Sequence, residues 1–325
     1  MMLDIIVTHY KEPWEVGKPL FDILGLQRGI DFSQIRVLLV NDGEEHRLPD
    51  ELFKDYPYRV EQIDIPHGGV SAARNAGIDH ATAEWINFCD FDDTYTNVYA
   101  LRDVMNVLPN PNYDMLWADC LSENFNENED GLVFIPERAI FVFLHGKYYR
   151  RSWLVESGLR FDPDFRFQED SLFNAIVLAM LDYHRIGRIK AFTPPFAWCR
   201  RNGSVTLSGG PEDVATMFHF MRNVKVCEYY IEHLPEDRIR DMVVRSTYDA
   251  YLMANSKTGV TENFRLDVID RFGKFIRKYD KYYGRPEDDI LQQIEDVSRY
   301  ELEDKRVPTD YETVTMWKDM VKGEI

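Results

Sequence analysis

Residues 68–93 read GGVSAARNAGIDHATAEWINFCDFDD, and this stretch decides the fold. Gly69 to Ala81 is rich in alanine, as a tightly packed helix would be. Trp85 to Cys89 is a short, near-continuous apolar run, as expected of a strand buried on both faces. It stops at Asp90-Phe91-Asp92-Asp93. Outward from here the pattern repeats. Leu3 to Val7 reads as a buried strand ending at Thr8-His9-Tyr10, and Val16 to Gly29 as helix. Arg36 to Val40 is a second buried strand, stopped by Asn41-Asp42-Gly43, where an Asx-type turn with Gly43 at positive φ explains the residues locally. Tyr58 to Asp64 alternates like a more exposed strand, and Asn97 to Leu108 reads as helix. Strands alternating with helices predict an α/β fold, a mostly parallel sheet flanked by helices. Such sheets bind ligands at the carboxyl ends of their strands.

The middle region is mixed. Asp114 to Leu121 reads as a strand, Ser122 to Gly131 as an acidic loop or hairpin tip, and Ser171 to Leu181 as a helix. From Pro211 the character changes to helical runs near 212–224, 236–255, 262–281, 286–303 and 309–322. Two domains are therefore expected, 1–210 and an all-α extension 211–325, with Gly209-Gly210-Pro211 as the hinge.

Carboxylates gather at the predicted strand ends. Within a strand, residues two apart share a side, so Asp90 and Asp92 form a candidate site for a hard cation such as Mg²⁺ or Mn²⁺. The competing reading is an acidic turn capping the next helix. Asp42 and the pair Glu169-Asp170 also have local explanations, as a turn and as an acidic first helical turn. The glycine-rich Gly68-Gly69 before a helix invites a phosphate-loop reading. It matches neither the dinucleotide fingerprint nor the P-loop. Arg74, in the second turn of that helix, is placed to reach a phosphate or to pair with the acidic strand ends.

In order along the chain stand VTHYKE, VNDGE, GGVSAARNAGIDHATAEWINFCDFDD, HGKYYRRSWL, FQEDSLF and WCRRNGSVT. Together they resemble family 2 glycosyltransferases over roughly residues 3 to 207. The resemblance implies a GT-A fold, a Rossmann-like, mostly parallel sheet with flanking helices. It implies inverting transfer from a nucleotide-sugar donor, expected to be a UDP-sugar, with Mn²⁺ or Mg²⁺ as cofactor. The nucleotide side would draw on Thr8, Tyr10, Glu12, Asp42, Arg74, Asn75 and Asp90. Asp90 and Asp92 would serve the metal, with Asp93 nearby. Asp170 would be the general base, with Glu169 beside it. Arg200, Arg201 and Ser204 would belong to a loop closing over the diphosphate. Some wording departs from the family. His9 reads as a spacer, and Phe91 as a residue that reshapes the sugar pocket. His145 and Lys147 fall where acceptor, diphosphate or metal would bind, with a structural histidine as the alternative. Trp198 and Tyr148 read either as sugar-stacking or as core residues. The histidines outside these motifs read as surface or core.

Composition limits the partners. The 325 residues carry 38 Lys and Arg against 56 Asp and Glu, a net charge of −18. Residues 1–210 hold −12 of it and 211–325 hold −6. Such a chain is unsuited to coating nucleic acid or an anionic membrane. The four cysteines lack zinc spacing and read as free thiols of a reducing compartment. Neither a membrane-length apolar run nor a signal-peptide pattern is apparent, so a soluble, cytoplasmic protein is expected. The family resemblance implies a hydroxyl acceptor on a saccharide, polymer or lipid-linked molecule, and the helical tail is a candidate self-association surface. The alternatives are a nucleotidyltransferase on a similar sheet and a non-catalytic sugar-nucleotide-binding scaffold.

Overall fold

The structure, a computed structural model, describes residues 1–126, 131–137, 143–165, 168–181, 183–191, 193–199, 212–234, 239 and 262–278. The chain divides into two compact units, Met1–Leu207 and Ser208–Ile325.

The first unit is built on a parallel core of four strands, β1 (Leu3–His9), β2 (Ile35–Asp42), β3 (Arg59–Ile65) and β4 (Trp85–Asp90). Every residue of β2 is buried, the apolar Val37–Val40 run and the polar Arg36, Asn41 and Asp42 alike. β3 lies at the edge and is largely polar, which protects an otherwise open edge. The chain then forms β5 (Thr94–Tyr95), β6 (Met115–Ala118), the hairpin of β7 (Cys120–Asn126) and β8 (Gly131–Glu137), β9 (Lys147–Arg150), β10 (Ile186–Ile189) and β11 (Phe196–Trp198). Seven strands make one sheet in the order β10-β6-β9-β4-β1-β2-β3. Only β9 runs antiparallel in it, against both β4 and β6. A smaller sheet has the order β5-β11-β7-β8.

Helices α1 (Trp14–Gly25) and α3 (Ala100–Met105) cover one face of the large sheet, where Leu20, Phe21 and Leu101 join Ile5, Val37 and Trp85. The other face carries α2 (Val70–His80) and α5 (Glu169–Met180), packing Ala73, Ile78, Phe173 and Val177 on Ile6, Leu38 and Phe88. The short α4 (Arg151–Glu156) contributes Leu154 to this second cluster. Four expectations move. The helix expected over Asn97–Leu108 is regular only over Ala100–Met105. The strand expected over Asp114–Leu121 breaks at Asp119 into β6 and β7, which serve different sheets. The acidic stretch from Ser122 is strand as far as Asn126, because it pairs with β8. Phe91 is 2% exposed and belongs to the core beneath α1, not to a sugar pocket.

Helix α2 approaches β1 closely because residue 77 has no side chain. A Cβ there would lie 2.4 Å from Ile6 Cγ2. Gly77→Val is therefore expected to cost about 1–3 kcal/mol by overpacking, read as a lower urea midpoint at unchanged slope.

In the second unit, α6 (Glu212–His233) and α7 (Glu262–Lys278) are described. Lys278 pairs with Glu228 across them at 3.5 Å. The runs near 286–303 and 309–322, most of 236–255 and the 209–211 hinge lie outside the described residues. The four cysteines are free thiols, with Cys89, Cys120 and Cys227 buried. No described helix is long and apolar enough to cross a membrane.

Candidate active site

The carboxyl ends of the parallel strands meet at one edge of the large sheet, together with the start of antiparallel β9. Thr8, Asp42, Asp90, His145 and Lys147 all arrive there from different strands or the turns beside them.

The Asp90–Asp93 segment is a turn. The Asp93 amide donates to the Asp90 carbonyl at 3.1 Å, and Phe91 is buried against His9, Trp14 and Phe21. A turn with this hydrogen bond brings residues three apart together, so the strand rule of two no longer applies beyond Asp90. Ligand-capable atoms of Asp90, Asp93 and His145 lie within 4.8 Å of one another. Asp92, the sequence-based partner of Asp90, is outside that group. His145 reaches it through Gly146, whose φ of +69° and closeness to the Ala118 carbonyl exclude a side chain. Asp93 Oδ2 faces His145 Nε2 at 3.2 Å without completing a hydrogen bond. Its Oδ1 accepts from the Cys199 amide at 3.0 Å, which ties the end of β11 to the same turn. The two carboxylates suit a hard cation such as Mn²⁺ or Mg²⁺, and the imidazole favours Mn²⁺ of the two.

Burial raises the Asp93 pKa to about 6, against the opposing pull of His145. For His145, burial favours the neutral ring, but the Asp93 carboxylate outweighs it and the pKa rises. Burial likewise pushes Lys147 down to about 8; its ammonium donates to the Phe143 carbonyl.

Arg74 joins the two acidic motifs. Its Nη2 donates to Asp90 at 2.8 Å and its Nη1 to Glu169 at 2.6 Å, with the guanidinium itself buried. Of the two roles open to it in the sequence, pairing with the acidic ends is the one seen. Burial works against the Asp90 charge, yet Arg74 and His145 hold its pKa below the usual value. Glu169 and Asp170 occupy the first turn of α5, and burial raises both pKa values. Asp170 Oδ1 accepts from the Ser171 amide at 2.7 Å. The preceding Gln168 holds φ at +59° with a buried, unpartnered Oε1, a strained position that no sequence signal announces.

On the β1–β2 side, Asp42 accepts from the amides of Gly68 and Gly69 at 2.7 and 3.0 Å and lies 2.9 Å from His67 Nδ1. It anchors the loop that starts α2. His67 stacks on Tyr10 at 4.5 Å, and His46 meets the same ring edge-on at 4.8 Å. Both are among the histidines read from the sequence as surface or core, and His67, which directly precedes the glycine pair, is exposed. Thr8 donates to Asp90 at 3.5 Å, and Glu12 accepts from the Tyr10 amide at 3.1 Å. His9 is more than a spacer: its buried ring bridges Asn41 and the Glu12 carbonyl.

The Asn75 side chain is engaged with the backbone of Phe161. Its amide donates to the Phe161 carbonyl and accepts from the Phe161 amide, at 2.8 and 2.9 Å. Tyr148 is fully buried core, while Trp198 is half-buried at the end of β11. Arg200, Arg201 and Ser204 lie outside the described residues.

Residues 4–173 match the profile of Glycosyl transferase family 2. Among curated proteins, the chain is 29% identical over 167 residues to the uncharacterized glycosyltransferase EpsJ of Bacillus subtilis, covering 44% of this chain and 47% of EpsJ. It is 28% identical over 187 residues to the minor teichoic acid biosynthesis protein GgaA of the same organism, covering 51% of this chain and 42% of GgaA. The chain thus spans about half the length of these curated relatives. Among solved structures, S. aureus TarS 1-349 in complex with UDP-GlcNAc superposes with a TM-score of 0.67 at 16% identity, covering 99% of this chain and 92% of that one. That likeness establishes the fold, a mostly parallel sheet flanked by helices. With more than half of its length inside the family profile, the chain belongs to glycosyl transferase family 2.

Proposed function

We propose that the chain transfers a sugar from a nucleoside diphosphate donor to an acceptor hydroxyl, with inversion at the anomeric carbon. The observation that carries this reading is the meeting, at one sheet edge, of a cation-capable Asp90–Asp93–His145 cluster with the burial-raised carboxylate of Asp170. In a single displacement Asp170 takes the acceptor hydroxyl proton as that oxygen attacks the anomeric carbon. The bond from that carbon to the diphosphate oxygen breaks, and the nucleoside diphosphate leaves with the bonding pair. A divalent cation held by Asp90, Asp93 and His145 would supply charge stabilisation to the leaving diphosphate. Tyr10, with His67 and His46 around it, offers an aromatic surface for the base. A UDP-sugar is the proposed donor, on the strength of the UDP-GlcNAc complex of the TarS neighbour. A saccharide or polymer acceptor is consistent with the role printed for GgaA.

The metal assignment has its own test. His145→Ala and Asp93→Ala are expected to weaken Mn²⁺-dependent UDP-sugar binding roughly tenfold or more. Asp92→Ala, outside the cluster, is expected to cost less. Calorimetry with and without Mn²⁺ reads both. Equal donor affinity in the two conditions would remove the metal from the proposal.

A further inference from the structure

Beyond the transfer centre, the same sheet edge continues across β9, β6 and β10. Register places Trp117 opposite Lys147 on one side and Arg188 on the other. Directly opposed residues project from the same face, so the three form one row. It is the face covered by α5, whose first turn carries Asp170, because Tyr149, two residues from Lys147, packs on Phe173 of that helix. At a strand spacing of about 4.8 Å, the end of β10 lies about 14 Å from β4 and Asp90, further than one sugar ring reaches.

At that end is a cleft of about 230 Å³, lined by Asp119, Arg188, Lys190, Pro194 and Pro195 among others. Its chemistry is unbalanced. Arg188 lies over the Trp117 ring at 4.8 Å and directs Nη2 to both oxygens of Asp119 at 2.8 Å. Among the described residues, its Nε and Nη1 make no hydrogen bond, and Lys190 is exposed with no partner. The prolines bring no N–H and the one carboxylate is already engaged. The cleft therefore presents unfilled donors and one positive charge in excess, within a unit whose net charge is strongly negative.

We propose that this cleft binds an anionic group of the acceptor, a phosphate or a carboxylate, on a unit next to the one that is glycosylated. The proposal rests on the transferase reading above and adds a substrate class to it. Fixed to Asp119 through Nη2 and stacked on Trp117, Arg188 holds its remaining N–H donors in place for an anionic oxygen, and Lys190 adds a mobile charge.

The test uses the full chain and an Arg188→Ala/Lys190→Ala double variant. Both residues are exposed, and an unchanged Tm checks that the variant is folded. The probes are inorganic phosphate, glycerol 3-phosphate and glucuronate, with glycerol and glucose as neutral controls, followed by ligand-observed NMR. UDP-sugar binding is measured in parallel. Anionic probes are expected to bind the wild type and to lose at least tenfold in affinity in the variant, while donor binding is unchanged. The tighter of the phosphate and carboxylate arms identifies the group. If no anionic probe binds the wild type, or if the variant binds them equally well, the subsite is overturned. A wild type that binds the anions but no sugar nucleotide would instead overturn the transferase reading.

Discussion

Asp170→Asn is expected to lower the rate of glycosyl transfer by about 10²–10⁴-fold, the typical contribution of a positioned general base. Donor affinity should stay close to that of the wild type. The amide keeps an oxygen to accept from the Ser171 amide, so the first turn of α5 loses no hydrogen bond. What it loses is the ability to take a proton. Burial raises the Asp170 pKa above the ordinary 3.8. The base works only when deprotonated, so wild-type turnover should climb with pH through a limb lying above that value, and the limb should be missing from the variant's residual activity. Stability moves the other way. A carboxyl whose folded pKa exceeds its unfolded one favours the folded state at low pH, and that contribution is lost as pH rises through the folded pKa. Near neutral pH the Asp170 charge is therefore a burden on the fold, and Asp170→Asn should melt at a higher temperature than the wild type. A variant with normal turnover would remove Asp170 as the base.

The strands that organise this site were legible because they are buried on both faces. Leu3 to Val7, Arg36 to Val40 and Trp85 to Cys89 are apolar but for Asp4, Arg36 and Asn87, and every residue in them is buried. Their ends located Thr8, Asp42 and Asp90 with little ambiguity. What escaped depends on partners distant in sequence. The chain breaks between β6 and β7 at Asp119, whose partner Arg188 is 69 residues away. The polar residues of β7 look like loop because their hydrogen bonds are made by β8. Strand alternation pairs Asp90 with Asp92, whereas the cluster of possible ligands holds Asp90, Asp93 and His145. The turn closed by the Asp93 amide, with Phe91 buried beneath α1, reorients the side chains after Asp90. His145, a candidate ligand on the family resemblance, reaches the cluster through the Gly146 turn at the start of β9. The family resemblance groups Asn75 with Arg74, but adjacent residues on a helix face different directions. One meets the acidic cluster and the other the backbone of Phe161.

Arg74→Met should destabilise the fold by about 3–5 kcal/mol, the usual cost of stranding buried charges by removing their partner. It would strand the largely buried Glu169, held at 2.6 Å, and unpair the partly exposed Asp90, held at 2.8 Å by the same guanidinium. Methionine roughly keeps the length and the apolar contact with Phe161, over which the guanidinium lies at 5.3 Å. The loss would thus report charge more than volume. Its pH dependence separates the two. Without Arg74 the folded-state pKa values of Asp90 and Glu169 move up, so the folded variant holds more protons. Its deficit should then be smallest in mild acid and grow as pH rises through those values. A packing defect would cost the same at every pH. Arg74→Lys should recover part of the stability, because one ammonium carries the charge but lacks the fork that spans both partners. Recovery of donor binding should be smaller still. Asp90 sits in the proposed cation cluster and Glu169 adjoins the proposed base, so Arg74 fixes the distance between the two halves of the chemistry. Full activity in Arg74→Lys would mean that either carboxylate can be held without the other. That outcome would end the case for a single rigid constellation linking α2, β4 and α5.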